Sequence, residues 1–145
     1  MPQVHLSPEV IARIINGGQR AIIYPIANDK FRVGKSISVR EPWIMVDNRV
    51  IYRADQTNWV GHDWKPSIRM REEMIRLHIT PHYMEQVRMS QLTDEEIIKL
   101  GYKDRLIMER EWNLSLTKKK RPILGAKFDP LIWYMEFDIK VLDKQ

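Results

Sequence analysis

The segment Leu131–Val141 restricts the fold more than any other part of the chain. Leu131, Trp133, Met135, Phe137, Ile139 and Val141 alternate without a break against Ile132, Tyr134, Glu136, Asp138 and Lys140. Such a period of two places one wholly apolar face on a core, so the chain must build a sheet around this strand. Trp133 and Phe137 are then packing residues and not stacking platforms for a ligand. Three further segments between Gly34 and Thr80 carry strand patterns. Ser36–Trp43 puts Ile37, Val39 and Glu41 on one face and Ser38 and Arg40 on the other, with Pro42 ending the strand or holding it to an edge. Arg49–Ala54 alternates again, and Asp47-Asn48 between the two makes a hairpin turn. The third runs from Trp64 to Met70 and leads into a strand over Met74–Thr80 that ends before Pro81. A carboxylate aligned with Ile37 and Val39 is a notable feature, because a buried Glu41 needs a partner such as an arginine.

Helix signals flank these strands. Ser7-Pro8-Glu9 supplies a cap, a proline at the first helical position and an acid in the first turn. Val10, Ile11, Ile14 and Ile15 then form a stripe that Gly17-Gly18 terminates, and Gln19–Ile26 is apolar enough for a buried strand interrupted by Pro25. Thr93 with Glu96 makes a capping box ahead of a helix that turns Ile97, Ile98 and Leu100 inward and stops at Gly101. A further helix over Lys103–Leu114 directs Leu106, Ile107 and Trp112 to the sheet and Arg105, Glu109 and Arg110 to solvent. Glu95 and Glu96 are explained by the helix dipole and the cap, without a catalytic role.

Charge is local. The net charge is +5, and between Lys99 and Lys127 nine Lys or Arg stand against three Asp or Glu, so the rest of the chain is close to neutral. A clustered excess of this kind suits a polyanion, whose counterions are released on binding. Lys118, Lys119, Lys120 and Arg121 form the one true charge run, expected as a flexible basic loop; the plainer reading is a solvated loop that serves solubility. The absence of cysteine excludes disulfides, thiol catalysis and cysteine-ligated zinc. His78 and His82 would lie about 13 Å apart in an extended strand, too far to share an ion. No metal or cofactor is therefore expected. No transmembrane run or signal peptide is visible, which predicts a soluble, cytoplasmic protein of one domain over 1–145.

Taken in order, "GKSISVREPW", "IYRAD", "WKPSIRM", Arg76 before a strand, "QLTDEE…LGY" and "DPLIWYMEF" resemble the small ASCH-domain proteins that phages and prophages encode. The resemblance spans roughly the whole chain. It implies an α+β fold, a small PUA-like β-barrel of five or six strands with one helix before it and two before the last strand. It also implies a superfamily that binds RNA or acts on modified nucleosides. In the nucleoside-deacylating members a lysine follows the Gly-rich turn, a threonine comes slightly later, and a glutamate precedes a helix-ending glycine. Here the lysine position falls on Gln19, or on Arg20, the threonine position on Ile22 and the glutamate position on Leu100. Arginine is a poor base because it does not deprotonate in proteins.

The leading expectation is a non-catalytic nucleic-acid-binding module for RNA or single strands. Its site would be a cleft edged by Arg40, Glu41, Tyr52, Arg53, Trp64 and Lys65, with Arg69 near enough for phosphates, Trp59 as a second indole at the rim, Arg20 as an anion holder, and Lys118–Arg121 as an electrostatic arm. Two other classes stay open: an amidohydrolase-like enzyme acting on a modified base or nucleoside, and a phage accessory factor that binds a host protein.

Overall fold

The long alternating segment is the spine of the sheet. In the computed structural model, which describes residues 1–56 and 63–142, it is the last of seven strands: β1 (Gln3–His5), β2 (Ala21–Pro25), β3 (Ile37–Arg40), β4 (Trp43–Val46), β5 (Arg49–Tyr52), β6 (Leu77–Arg88) and β7 (Leu131–Val141). Five of them form a curled half-barrel sheet in the order β1-β3-β6-β7-β2, with β1 parallel to β3 and the other pairs antiparallel. Helices α1 (Pro8–Ile15), α2 (Asp94–Lys99), α3 (Arg105–Ser115) and α4 (Arg121–Leu124) flank it, so the α+β class expected from the sequence holds. β1 precedes the first helix and carries no sequence signal; three residues are too few to show a period. Among the described residues no helix is long and apolar enough to cross a membrane.

Both faces of β7 carry apolar side chains, so the strand contributes to two separate cores. Met135 and Phe137 pack with Ile11 and Ile14 of α1 and with Ile37, Val39, Leu77 and Ile79. On the opposite face Ile132 and Tyr134 are fully buried beneath Ile97, Leu100, Met108 and Trp112 of the helical layer. The sequence pattern assigns Ile132 and Tyr134 to the polar face, but α2 and α3 cover that half of the strand. Only its end, with Asp138 and Lys140, meets solvent.

Local signals explain the helix ends. The Ser7 hydroxyl accepts from the Val10 N–H at 3.3 Å, and Thr93 and Glu96 form the reciprocal cap. Two inward assignments need correction: Ile98 is 62 % exposed and Leu106 68 % exposed. In α2 the buried face is set by Ile97 and Leu100, and Ile98 lies about 100° round the axis from Ile97. In α3 it is set by Met108 and Trp112, four residues apart. Arg105, expected in solvent, is half-buried and donates to the Met89 carbonyl at 3.0 Å and to the Leu92 carbonyl.

The central stretch also differs in its joints. β3 ends at Arg40, and the hairpin is built from β4 and β5 as a separate two-stranded sheet. Asp47 and Asn48 turn it with φ of 50° and 63°, the left-handed pair that a two-residue hairpin requires. Residues 67–69 and 72–74 form two short 3-10 turns, and the strand expected to stop before Pro81 continues to Arg88. It passes the proline by a register shift between Pro81 and Tyr83, where the missing N–H costs no ladder bond.

Candidate nucleic-acid interface

Three of the residues expected to edge a cleft, Arg40, Glu41 and Tyr52, are tied into the fold by their side chains. β3 delivers Glu41 just past its end, with 0 % of the residue exposed, and β6 is preceded by Arg76. The Arg76 guanidinium grips Glu41 as a fork, Nε to Oε2 at 3.1 Å and Nη2 to Oε1 at 2.9 Å. Its Nη1 donates to both Asp55 oxygens at 2.9 and 2.7 Å, and the Tyr52 ring lies 4.0 Å beneath it. The Tyr52 hydroxyl donates to the Met74 carbonyl at 2.6 Å. Burial pushes the Glu41 carboxyl above its ordinary value, against the pull of the Arg76 bond and charge. Arg40 donates to the Met70 carbonyl and pairs with Glu72 at 3.3 Å. The polar groups of Glu41 and Tyr52 are thus spent inside the fold, where they tie β3, β5 and the start of β6 together. Arg53, Lys65 and Arg69 are exposed, and Trp64 is half-buried. Trp59 lies outside the described residues.

A second place gathers other expected positions. The two edge strands of the half-barrel, β1 and β2, are unpaired with each other, and both line a cavity of about 520 Å³. Tyr24, Phe31 and Trp112 give it aromatic walls, and Lys30 and Lys120 stand in its lining. Gln19, Ile22 and Leu100, the positions onto which the resemblance carries the deacylating lysine, threonine and glutamate, all border this one space. They bring one amide and two aliphatic groups. Gln19 is 3 % exposed, donates from Nε2 to the Ala21 carbonyl at 2.9 Å and accepts from Arg13 Nε at 3.1 Å. Arg20 is half-buried, and its Nη1 donates to the Ile14 and Gln19 carbonyls at 2.6 and 2.8 Å and so caps the end of α1.

Gly101 packs against that wall with φ of +85°, and a Cβ there would stand 2.9 Å from Arg13 Nε and 3.1 Å from Gln19 Oε1. Replacing Gly101 by alanine is expected to cost about 1–2 kcal/mol from the left-handed backbone alone, and to loosen the Arg13–Gln19 bond. Urea unfolding of the variant checks this; an unchanged midpoint would contradict it.

The basic run is more ordered than a flexible loop. The Thr117 carbonyl accepts from the Lys120 and Arg121 N–H groups, both at 3.0 Å, and the chain enters α4 directly. Pro122 near the start of that helix supports the turn. Lys118, Lys119, Lys120 and Arg121 are all exposed, and Lys120 reaches the cavity lining. Sequence reasoning missed Asp55 and the pairing role of Arg76, and it missed the cavity itself. Among the described residues no three His, Cys, Asp or Glu side chains gather as a metal site. His82 instead sits 3.3 Å from Asp138 and 3.7 Å from Glu136.

These elements define the class of the protein as an α+β half-barrel with flanking helices and a cavity at its open seam. The crystal structure of protein EF3133 from Enterococcus faecalis, with family-model DUF984, shares this fold with a TM-score of 0.60 at 12 % identity, covering 100 % of this chain and 84 % of that one. The likeness is one of fold. No family model matches the chain, and no curated protein matches it in sequence.

Proposed function

We propose that the chain is a non-catalytic nucleic-acid-binding module of the ASCH/PUA-like type, of the kind phages encode, acting on RNA or another single strand in the cytoplasm. The observation that carries this reading is contiguity: the exposed run Lys118–Arg121 leads to a cavity of about 520 Å³ with aromatic walls, and Lys120 belongs to both. A backbone track beside a base-sized apolar space is what single-strand binding needs, since phosphates supply salt-dependent affinity and unstacked bases supply stacking surface. Arg53, Lys65 and Arg69 are exposed beside the hairpin and add further positive charge there. The amide and aliphatic groups at Gln19, Ile22 and Leu100 favour binding over deacylation, because none of them can serve as nucleophile or base.

The test is the salt dependence of binding to a labelled single-stranded RNA. In the variant with Lys118, Lys119, Lys120 and Arg121 all replaced by alanine, the slope of log affinity against log salt is expected to fall by roughly 0.7 for each phosphate that is no longer neutralised. An unchanged slope would refute the arm.

A further inference from the structure

The seam cavity carries a more specific reading, which rests on the nucleic-acid proposal and deepens it. The Phe137 N–H donates to the Arg20 carbonyl at 3.1 Å, and Ala21 stands opposite Glu136. Antiparallel pairing then directs the peptide groups of Ile22 and Tyr24 at β7 and those of Ala21, Ile23 and Pro25 away from it, toward the open edge. Most of the outward acceptors are occupied: the Ala21 carbonyl accepts from Gln19, and the Pro25 carbonyl accepts from the Asn28 N–H at 3.0 Å. Pro25 has no N–H to offer. Among the described residues the outward N–H and carbonyl of Ile23 meet no partner, which leaves a donor and an acceptor side by side, and Ile23 lines the cavity.

Tyr24 is the second observation. It lines the same cavity and is only 8 % exposed, and among the described residues its buried hydroxyl has no hydrogen-bond partner. The ring cannot swing freely, being edge-on to Phe31 at 5.4 Å and stacked on Trp133 at 6.4 Å. Burial pushes the phenol up to about 12, so the group stays a neutral hydroxyl able to donate and accept. A buried hydroxyl without a partner lowers the stability of the free protein, and phenylalanine would pack there without that cost. Lys30 and Lys120 add positive charge to the lining.

We infer that the cavity receives one unstacked base of a nucleotide, whose adjacent donor and acceptor meet the Ile23 peptide and the Tyr24 hydroxyl, while its phosphate lies toward Lys30 and Lys120. A nucleobase has a planar apolar body, an amide- or amidine-type edge and an attached anion, and the site offers a counterpart to each. The aliphatic wall of Ile22 and Leu100 takes the body, and the lysines take the anion.

The experiment is calorimetric titration of the wild type and Tyr24→Phe with AMP, GMP, CMP and UMP, with ribose 5-phosphate as the control, alongside thermal unfolding of both proteins. At least one mononucleotide is expected to bind, with ribose 5-phosphate weaker. Tyr24→Phe should bind that mononucleotide about tenfold more weakly, the loss of one hydrogen bond, at an equal or higher Tm. The inference is overturned if no mononucleotide binds better than ribose 5-phosphate, or if Tyr24→Phe keeps its affinity. A lowered Tm with unchanged affinity would assign the hydroxyl to the fold and also overturn it. Single-stranded RNA that binds in a salt-dependent way without competition from any mononucleotide overturns the base site and leaves the basic arm standing. Mononucleotide binding without any RNA binding supports the base site and overturns the wider proposal.

Discussion

Replacing Arg76 by methionine is expected to destabilise the protein by about 3–5 kcal/mol, the usual cost of leaving one member of a buried ion pair behind. Glu41 is 0 % exposed and both its oxygens are held by Arg76, so the substitution would leave its carboxylate buried without its partner. The variant should also acquire a pH dependence with a definite sign. Burial raises the Glu41 carboxyl above its ordinary 4.5, and the Arg76 bond and charge are what pull it back. Without them the folded-state value climbs further. A carboxyl raised in the folded state contributes stability below its unfolded value and loses it as pH rises. The variant should therefore be least affected near pH 4.5 and progressively weaker toward neutrality, as urea midpoints across that window would record. Adding Glu41→Leu should recover most of the loss, since an apolar pair of similar volume replaces a buried ion pair at little cost. A deficit under about 1 kcal/mol, far below the usual cost of a broken buried pair, or one independent of pH, would contradict this account of the pair.

Phe137→Ala is expected to cost about 3–5 kcal/mol, through lost transfer energy and the cavity left behind. Val141→Ala, on the same face of the same strand, should stay within about 0.5 kcal/mol. The two residues look equivalent in the alternation of β7. Phe137 is 1 % exposed and shares a core with Ile11 and Ile14 of α1, whereas Val141 is 48 % exposed at the strand end beyond that cover. Urea unfolding with an unchanged m-value would isolate the effect as one of stability. Comparable losses for the two would mean that the sheet is covered along its full length.

This contrast shows where the sequence is legible. Periodicity gives β7 as a strand, the caps at Ser7 and Thr93, the stop at Gly101 and the Asp47-Asn48 turn, because each depends on a few neighbouring residues. It also gives the burial of Glu41, through its alignment with Ile37 and Val39. The identity of its partner is beyond such local reasoning. Arg76 lies 35 residues further on, and only the pairing of β3 with β6 and the folding back of the intervening hairpin bring the two together. For the same reason Glu41 and Tyr52 read as rim residues of a cleft when they are interior ones. Ile98 and Leu106 read as core because hydrophobicity alone does not say which side of a short helix a sheet will cover. The seam cavity depends on the curl of the whole sheet, since β1 and β2 are separated in sequence by α1 and meet across the open edge of the half-barrel. Gln19, Ile22 and Leu100 could be singled out one by one from the resemblance, but that they border one space emerges only from the fold.

The most direct test of nucleic-acid binding uses the protein as purified from cells, analysed by native mass spectrometry and absorbance with and without nuclease, followed by the affinity of the nuclease-treated protein for a labelled single-stranded RNA at two salt concentrations. The account predicts co-purifying nucleic acid that nuclease removes, and an affinity that falls steeply as salt rises. A protein that purifies clean and shows no salt-dependent binding would contradict it.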